Sequence, residues 1–432
     1  MGLFSTLNVG VSGMNASSTS MDVIGDNIAN VNTAGFKSSR VSFEDLLASR
    51  IGSAGQIGRG TRLGSITQNF GQGTFEASSN VTDLAINGQG FFIVRDPLDG
   101  GEMFTRAGQF YVDSDGNLVN SNGYILQGYD ADANGVIGTA LGDLQLNADI
   151  LAPSASSTLS LVANLDSGTE VVEDPAKTLD ISASSYTFDE LNEISDFSTS
   201  VNVFDSLGET HEVTLYFQKS GDGEWNYIIA SPADELQNPS GIAEGDNAAI
   251  LGSGSLIFNE DGTLDTSASS VSSIEVQFAG AGSQSIELDL SDKGKITQYG
   301  QASALIALDQ DGYGPGFMTS VDVGEDGVIT GIFSNGEVLD IGQVALANFE
   351  NLQGLERRGG NLLAATQESG EPVIGSAGSG SLGTLSSNTV ELSNVDLESE
   401  FVKMISTQLS YQANSRVVST VDAMLNQLLQ II

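Results

Sequence analysis

A seven-residue apolar repeat stands at each end of the chain, and nothing like it lies between. From the N-terminal side, Phe4, Leu7, Val11, Met14, Ser18, Met21, Gly25 and Ile28 fall at alternating spacings of three and four. That spacing lays one stripe along one helical face. Near the C-terminal side Leu397, Phe401, Met404, Tyr411, Val418, Leu425, Leu429 and Ile432 follow the same repeat, interrupted by Gln408, Ser415 and Asp422. Two such helices of roughly 30 residues would each be about 45 Å long. With this much Gly, Asn and Ser, neither holds together alone. The stripes therefore predict either a two-helix coiled-coil base or helices that order against neighbouring copies. The packing residues are then Leu7, Val11, Met14, Met21 and Ile28 on one side, and Phe401, Met404, Tyr411, Val418, Leu425 and Leu429 on the other. Asp396 supplies an N-cap for the second helix without a full capping box.

Between the stripes the pattern changes to period two. Runs such as LAINGQGFFIV, STSVNVFDSLGETHEVTLYF and SIEVQFAG alternate apolar and polar residues and are punctuated by Asp-Gly and Asn-Gly turns. These predict antiparallel strands in sandwiches or barrels. The fold expected is mainly β with α-helical termini, nested β-sandwich or barrel domains standing on the helical base. The expected division is a terminal helical core (1–30 with 395–432), Gly/Ser-rich linkers or arms (31–70 with 373–394), an inner β domain (71–154 with 298–372) and an inserted outer β domain (155–297). The first helix is expected to stop in GDNIANVNTAGFK, where Asn27, Asn30, Asn32 and Gly35 favour turns.

Charge and composition exclude much. The chain has no cysteine and one histidine, His211. Thiol chemistry, disulfides and multi-histidine zinc sites are thereby ruled out. No nucleophile, base and orienting group come together in the sequence, so no catalytic residue, metal ligand or cofactor is expected. Of the net charge of −41, residues 1–70 carry five basic and four acidic side chains, a net of +1. Residues 107–292 carry 31 acidic side chains against Lys177 and Lys219, a net of −29. So negative a surface repels nucleic acid and anionic lipid. The N-terminal stretch has neither the basic region nor the apolar run of a secretory signal, and no run is long enough for a membrane span.

Acidic turns offer one chemical alternative, a calcium-stabilised secreted adhesin. Asp130, Asp132, Asn134 and Gly135 match the first half of a calcium loop, but its last position, which should be a bidentate Glu, is Leu141. Tight turns built on Asp, Asn and Gly backbone geometry are the expectation instead.

The residues also resemble a family. GDNIANVNTAGFK, with Phe36 as well as the asparagines and Gly35, together with LSYQANSRVVSTVDAMLNQLL near the other end, resembles the paired terminal signatures of the flagellar rod and hook proteins. NFGQGTFEASSNVTDLAINGQGFFIV and FTRAGQFYVDSDGNLVNSNGYILQGY look like that family's shared body. The segments at 161–171 and 197–227 resemble the insertion of its hook branch, whereas a distal rod subunit would be shorter and lack it. Leu409 departs from the pattern, since relatives often carry arginine there. The resemblance implies a helical homopolymer, a short curved tube that acts as a universal joint. It also implies the hook cap, distal rod and hook–filament junction proteins and the flagellar export apparatus as partners. An extracellular place in the flagellum follows, with export that needs no cleavable signal.

Overall fold

The computed structural model describes residues 3–46, 58–146, 150–172, 174, 177–183, 185–237, 247–270, 273–290 and 295–431, with side chains described between 4 and 427. The chain is mostly strand, with long helices α1 (Leu3–Ala29) and α3 (Leu397–Ile431) at its ends and a short helix α2 (Phe188–Ile194) between them. It divides into two compact units: one comprises Met1–Asn147, Ser320–Ile332 and Val338–Ile432, the other Ala148–Thr319 with Phe333–Glu337.

In the first unit α1 runs through Asn27, which stays helical, and ends at Ala29, just before Asn30. Asn30 Nδ2 donates back to the Asp26 carbonyl at 2.9 Å, a side-chain bond that competes with helix continuation. Strands Ser39–Asp45 and Thr61–Gln68 then form an antiparallel hairpin, with Ser39 opposite Gln68 and Asp45 opposite Thr61. This stretch was expected to be an extended arm. Its neighbour near the other end was expected to be a linker, yet Val373–Ser376 pairs with Val338–Asn348, and Thr384–Ser387 pairs with Leu84–Asn87. Glycine there serves close approach rather than flexibility: a Cβ on Gly383 would lie 2.4 Å from the Asn87 carbonyl oxygen.

The body of this unit is a sheet in which Val338–Asn348, Ile125–Ala131, Phe91–Arg95, Glu102–Thr105, Leu362–Ala364 and Glu356–Gly359 lie side by side. Both of its faces are covered. Phe92 and Val94 point into one core with Phe110, Leu126 and Leu346, while Phe91 and Ile93 point into another with Phe104 and Phe349. Consecutive residues of a strand face opposite sides, so a continuous apolar run such as FFIV signals burial on both. Phe104 meets Phe349 edge to face at 4.8 Å.

The second unit is a sandwich of two five-stranded sheets. Strand Thr158–Asp166 alternates strictly, sending Leu159, Leu161, Ala163 and Leu165 inward against Val213, Leu215, Phe217, Trp225, Tyr227 and Ile229 of the facing sheet. On that sheet's outer face α2 buries Leu191 against Tyr216 and Ile228. A capping box starts this helix: Glu190 N donates to Thr187 Oγ1 at 3.2 Å and Thr187 N to Glu190 Oε2 at 3.0 Å.

Two expectations about this unit need correction. Its strands are not all antiparallel, because Thr158–Asp166 runs parallel to both Ser283–Asp289 and Ile296–Tyr299. It is also wider than 155–297: Leu151 bridges Gly316, Ser154 bridges Tyr313, and Ala304–Gln310 pairs along Thr158–Asp166. Pairing partners, not the composition shift, set the boundary.

Candidate functional site: a helix pair and the junction that anchors it

α1 and α3 pack antiparallel, Gly10 lying by Val418, Gly13 by Asn414 and Asn27 by Glu400. The seam on α1 is built of small and polar residues. A Cβ on Gly10 would sit 2.9 Å from Val418 Cγ2, and one on Gly13 would sit 2.6 Å from Asn414 Nδ2. Ser17, Ile24 and Asn27 continue the same buried line. Small side chains let the two backbones approach, and the seam is read from their absence of bulk.

This seam is not the apolar stripe of α1. Leu7, Met14, Met21 and Ile28 are half-buried and Val11 is exposed; Phe4 is 70% exposed. On α3, Val418 faces Gly10, and Met404 and Leu425, on the same register, are half-buried. Phe401 and Tyr411 are exposed, and Leu429 has its side chain outside the described residues. Beside Phe401, Val402, Ile405 and Leu409 also face outward, Ile405 at 59% and Leu409 at 61%. The chain thus spends glycine on closing its own helix pair and leaves large apolar side chains uncovered.

Below the pair, the turn after α1 becomes the point where both ends of the chain meet. Asn27 is almost wholly buried. Its Nδ2 donates to the Ser39 carbonyl at 2.9 Å and its Oδ1 accepts from Ser39 N at 2.8 Å, so one amide mimics a strand neighbour and fixes helix to hairpin. Asn30 holds the turn as described, while Asn32 is exposed. Gly35 adopts φ +69, and a Cβ there would fall 2.4 Å from the Ala107 backbone nitrogen. Its own N–H donates to the Glu391 carbonyl at 2.7 Å. Phe36 is buried beneath the Arg357 guanidinium, 5.5 Å from the ring centre.

The next residue is the centre of the junction. Lys37 Nζ lies 2.7 Å from Glu391 Oε1 and donates to the Gly71 carbonyl at 2.9 Å. Gly73 N also donates to Glu391 Oε1 at 2.7 Å. Arg106 reaches the other carboxylate oxygen at 3.5 Å, donates to the Gly88 carbonyl at 2.8 Å and lies over the Phe91 ring at 5.3 Å. The Glu391 side chain is wholly inaccessible to solvent. Burial pushes both the Lys37 ammonium and the Arg106 guanidinium below their ordinary pKa, with Glu391 opposing the shift. Asn394 adds two donations, to Asn69 O at 2.7 Å and Gly71 O at 2.9 Å, and accepts Ser38 N at 2.8 Å.

Lys37, Arg106, Glu391 and Asn394 were not singled out from the sequence. The one available signal was Lys37 itself, a cation at the end of the asparagine-rich motif in a chain with 15 basic residues.

The acidic turns place their carboxylates on their own backbones. Asp113 Oδ1 accepts from Asp115 N and Asn117 N, Asp132 Oδ1 from Asn134 N and Val136 N, and Asp261 Oδ1 from Thr263 N. Leu141 lies in the strand Ile137–Asp143. Among the described residues, no helix is long and apolar enough to cross a membrane.

Long helices near both ends of the chain, with β units between them in sequence, are the parts that family models of flagellar axial proteins describe, and they place the chain in that class of structural protein. Family models agree along the chain: "Flagella basal body rod protein" matches 7–37, "Flagellar hook protein FlgE/F/G D1 domain" 85–164, "Flagellar basal body protein FlaE D2 domain" 164–313 and "Flagellar basal body rod FlgEFG protein C-terminal" 386–431. Similar relatives include the flagellar hook protein FlgE of Escherichia coli (strain K12), 36% identical over 424 residues and 98% of both chains. That of Rhizobium meliloti is 34% identical over 446 residues and 100% of both, and that of Borreliella burgdorferi 33% over 463 residues and 99% of both. The chain belongs to the flagellar hook protein family, and its role is that of a structural hook subunit rather than an enzyme. Its fold is similar to the crystal structure of Helicobacter pylori flagellar hook protein FlgE2, with a TM-score of 0.53 at 16% identity over 72% of this chain and 98% of that one.

Proposed function

We propose that the subunit polymerises by burying the uncovered faces of α1 and α3 against neighbouring copies, and that the resulting tube works as a universal joint passing motor torque to the filament. The observation that carries the assembly step is the outward row Phe401, Val402, Ile405 and Leu409, left in water after α1 and α3 have closed on each other. A contiguous apolar row of this kind marks an interaction surface. The packing residues Leu7, Val11, Met14, Met21, Phe401 and Tyr411 belong to that intersubunit role. Met404, Val418 and Leu425 serve the pair itself. In this division the terminal helices form the inner core of the tube and the strongly acidic β units face water.

The family resemblance supports the hook cap, distal rod, hook–filament junction proteins and export apparatus as partners, with an extracellular position reached without a cleavable signal. Immunogold labelling against the inserted unit should mark a short segment between cell and filament; diffuse label over the cell surface would refute the location.

The assembly step is tested with Ile405→Asp combined with Leu409→Asp in the full chain. Sedimentation and electron microscopy should find no tubes while circular dichroism shows unchanged strand and helix content. Tubes of normal length from this variant would overturn the packing assignment.

A further inference from the structure

The lone histidine lies in the second unit. His211 is 7% exposed, on the strand Thr210–Gly221, with its ring stacked on Phe278 at 3.7 Å. Its Nδ1 is 2.9 Å from Glu235 Oε2. An ionised carboxylate only accepts, so Nδ1 carries the proton and a neutral ring presents a bare lone pair at Nε2. That lone pair faces a second acceptor, Asp205 Oδ2, at 3.5 Å. Asp205 is fully buried and cannot turn away, because its Oδ1 accepts from Leu207 N at 2.8 Å and Glu209 N at 2.9 Å. Two acceptors pointed at one another need a positive centre between them.

The separation fits a metal better than a hydrogen bond. At 3.5 Å the contact is beyond the usual 2.7–3.2 Å range for a nitrogen donor. Ligands about 2.1 Å from a tetrahedral Zn²⁺ lie about 3.4 Å from each other. Glu209 brings a third ligand atom within 4.8 Å of the other two, from an exposed position that gives an entry path. The Glu235–His211 bond is the carboxylate–imidazole pair that orients metal-bound histidines.

We infer that Asp205, Glu209 and His211 form a site for one divalent transition ion of the Zn²⁺ class, with Glu235 positioning the imidazole and solvent completing the coordination. The ion would tie the turn after strand Phe197–Phe204 to the strand that follows it, stiffening the inserted unit.

The rival for the same gap is a second proton on the ring, and having one histidine makes the two separable. Zn²⁺ is titrated into the full chain at neutral pH, with excess Mg²⁺ to occupy the acidic surface, while the single imidazole Cε1–H resonance is followed. We expect a saturable shift complete at one equivalent, and loss of the resonance's pH titration once it is bound. Affinity should fall about 10-fold or more in Glu209→Gln, whose exposed side chain leaves the fold intact, and about 10–100-fold in Glu235→Gln. An imidazole resonance that ignores excess Zn²⁺ and keeps titrating with pH would assign the gap to the proton and overturn the site. Calorimetric binding of equal affinity in His211→Gln would overturn it as well.

Discussion

The inserted unit and the terminal helix pair are opposite solutions to burying apolar surface. In the first, Trp225, Tyr227 and Phe278 are completely enclosed by residues of the same unit. In the second, the buried line on α1 is Gly10, Ser17, Ile24 and Asn27, while Phe4 and Val11 stay exposed. A sandwich with a finished core has no need of a neighbour. A helix pair closed on glycine is held by little hydrophobic area and leaves large apolar side chains in water. Under the proposed packing, stability and assembly fall to different parts of one chain.

The contrast can be broken from either side. Trp225→Ala should cost the inserted unit about 3–5 kcal/mol and lower its unfolding transition while leaving helix content and tube formation intact. Loss of tubes from a folded variant would show that the units are not independent. Glu391→Gln should cost the first unit about 3 kcal/mol, because it leaves the Lys37 and Arg106 charges buried without their partner. Denaturant titration would show it as a lowered midpoint for that unit alone. Gly13→Leu should cost about 1–3 kcal/mol by forcing the helices apart, read as faster amide exchange along α1. No change there would mean the pair contributes nothing in the isolated subunit.

The smallest effect is acid sensitivity. Asp143, bonded to Arg95 and Gln127, is held below the ordinary carboxylate value, chiefly by the Arg95 bond and against burial. A depressed folded-state pKa gives stability that is present above the unfolded value, about 3.9, and lost as pH falls through the folded one. The gap in melting temperature between the parent and Asp143→Asn should therefore be constant well above the unfolded-state value and close as the pH falls below it.

What could be read from sequence follows from what each feature is made of. Helices at both ends, a stop within GDNIANVNTAGFK and turns at Asp113 and Asp132 are legible because period and turn chemistry are local. The seam was not, because a search for apolar positions passes over Gly10, Gly13 and Ser17, where closeness rather than bulk makes the contact. The strands at 373–376 and 384–387 were hidden for a similar reason, their register being set by partners far along the chain. Lys37, Arg106 and Glu391 are unremarkable singly. Only the fold brings them together, and the Asp205–His211 gap is likewise invisible until Glu235 fixes the ring.

The pair of Lys37 and Glu391 joins residues 354 positions apart. Closing so large a loop costs entropy that is recovered only when the contact forms, so pairings of such long range come late in folding. Until Glu391 arrives, the turn at Gly35 lacks the carbonyl that receives its N–H, and Lys37 lacks its counterion. The strand Thr389–Glu391 therefore acts as a clasp: the turn after the first helix is finished by a residue from the far side of the sequence.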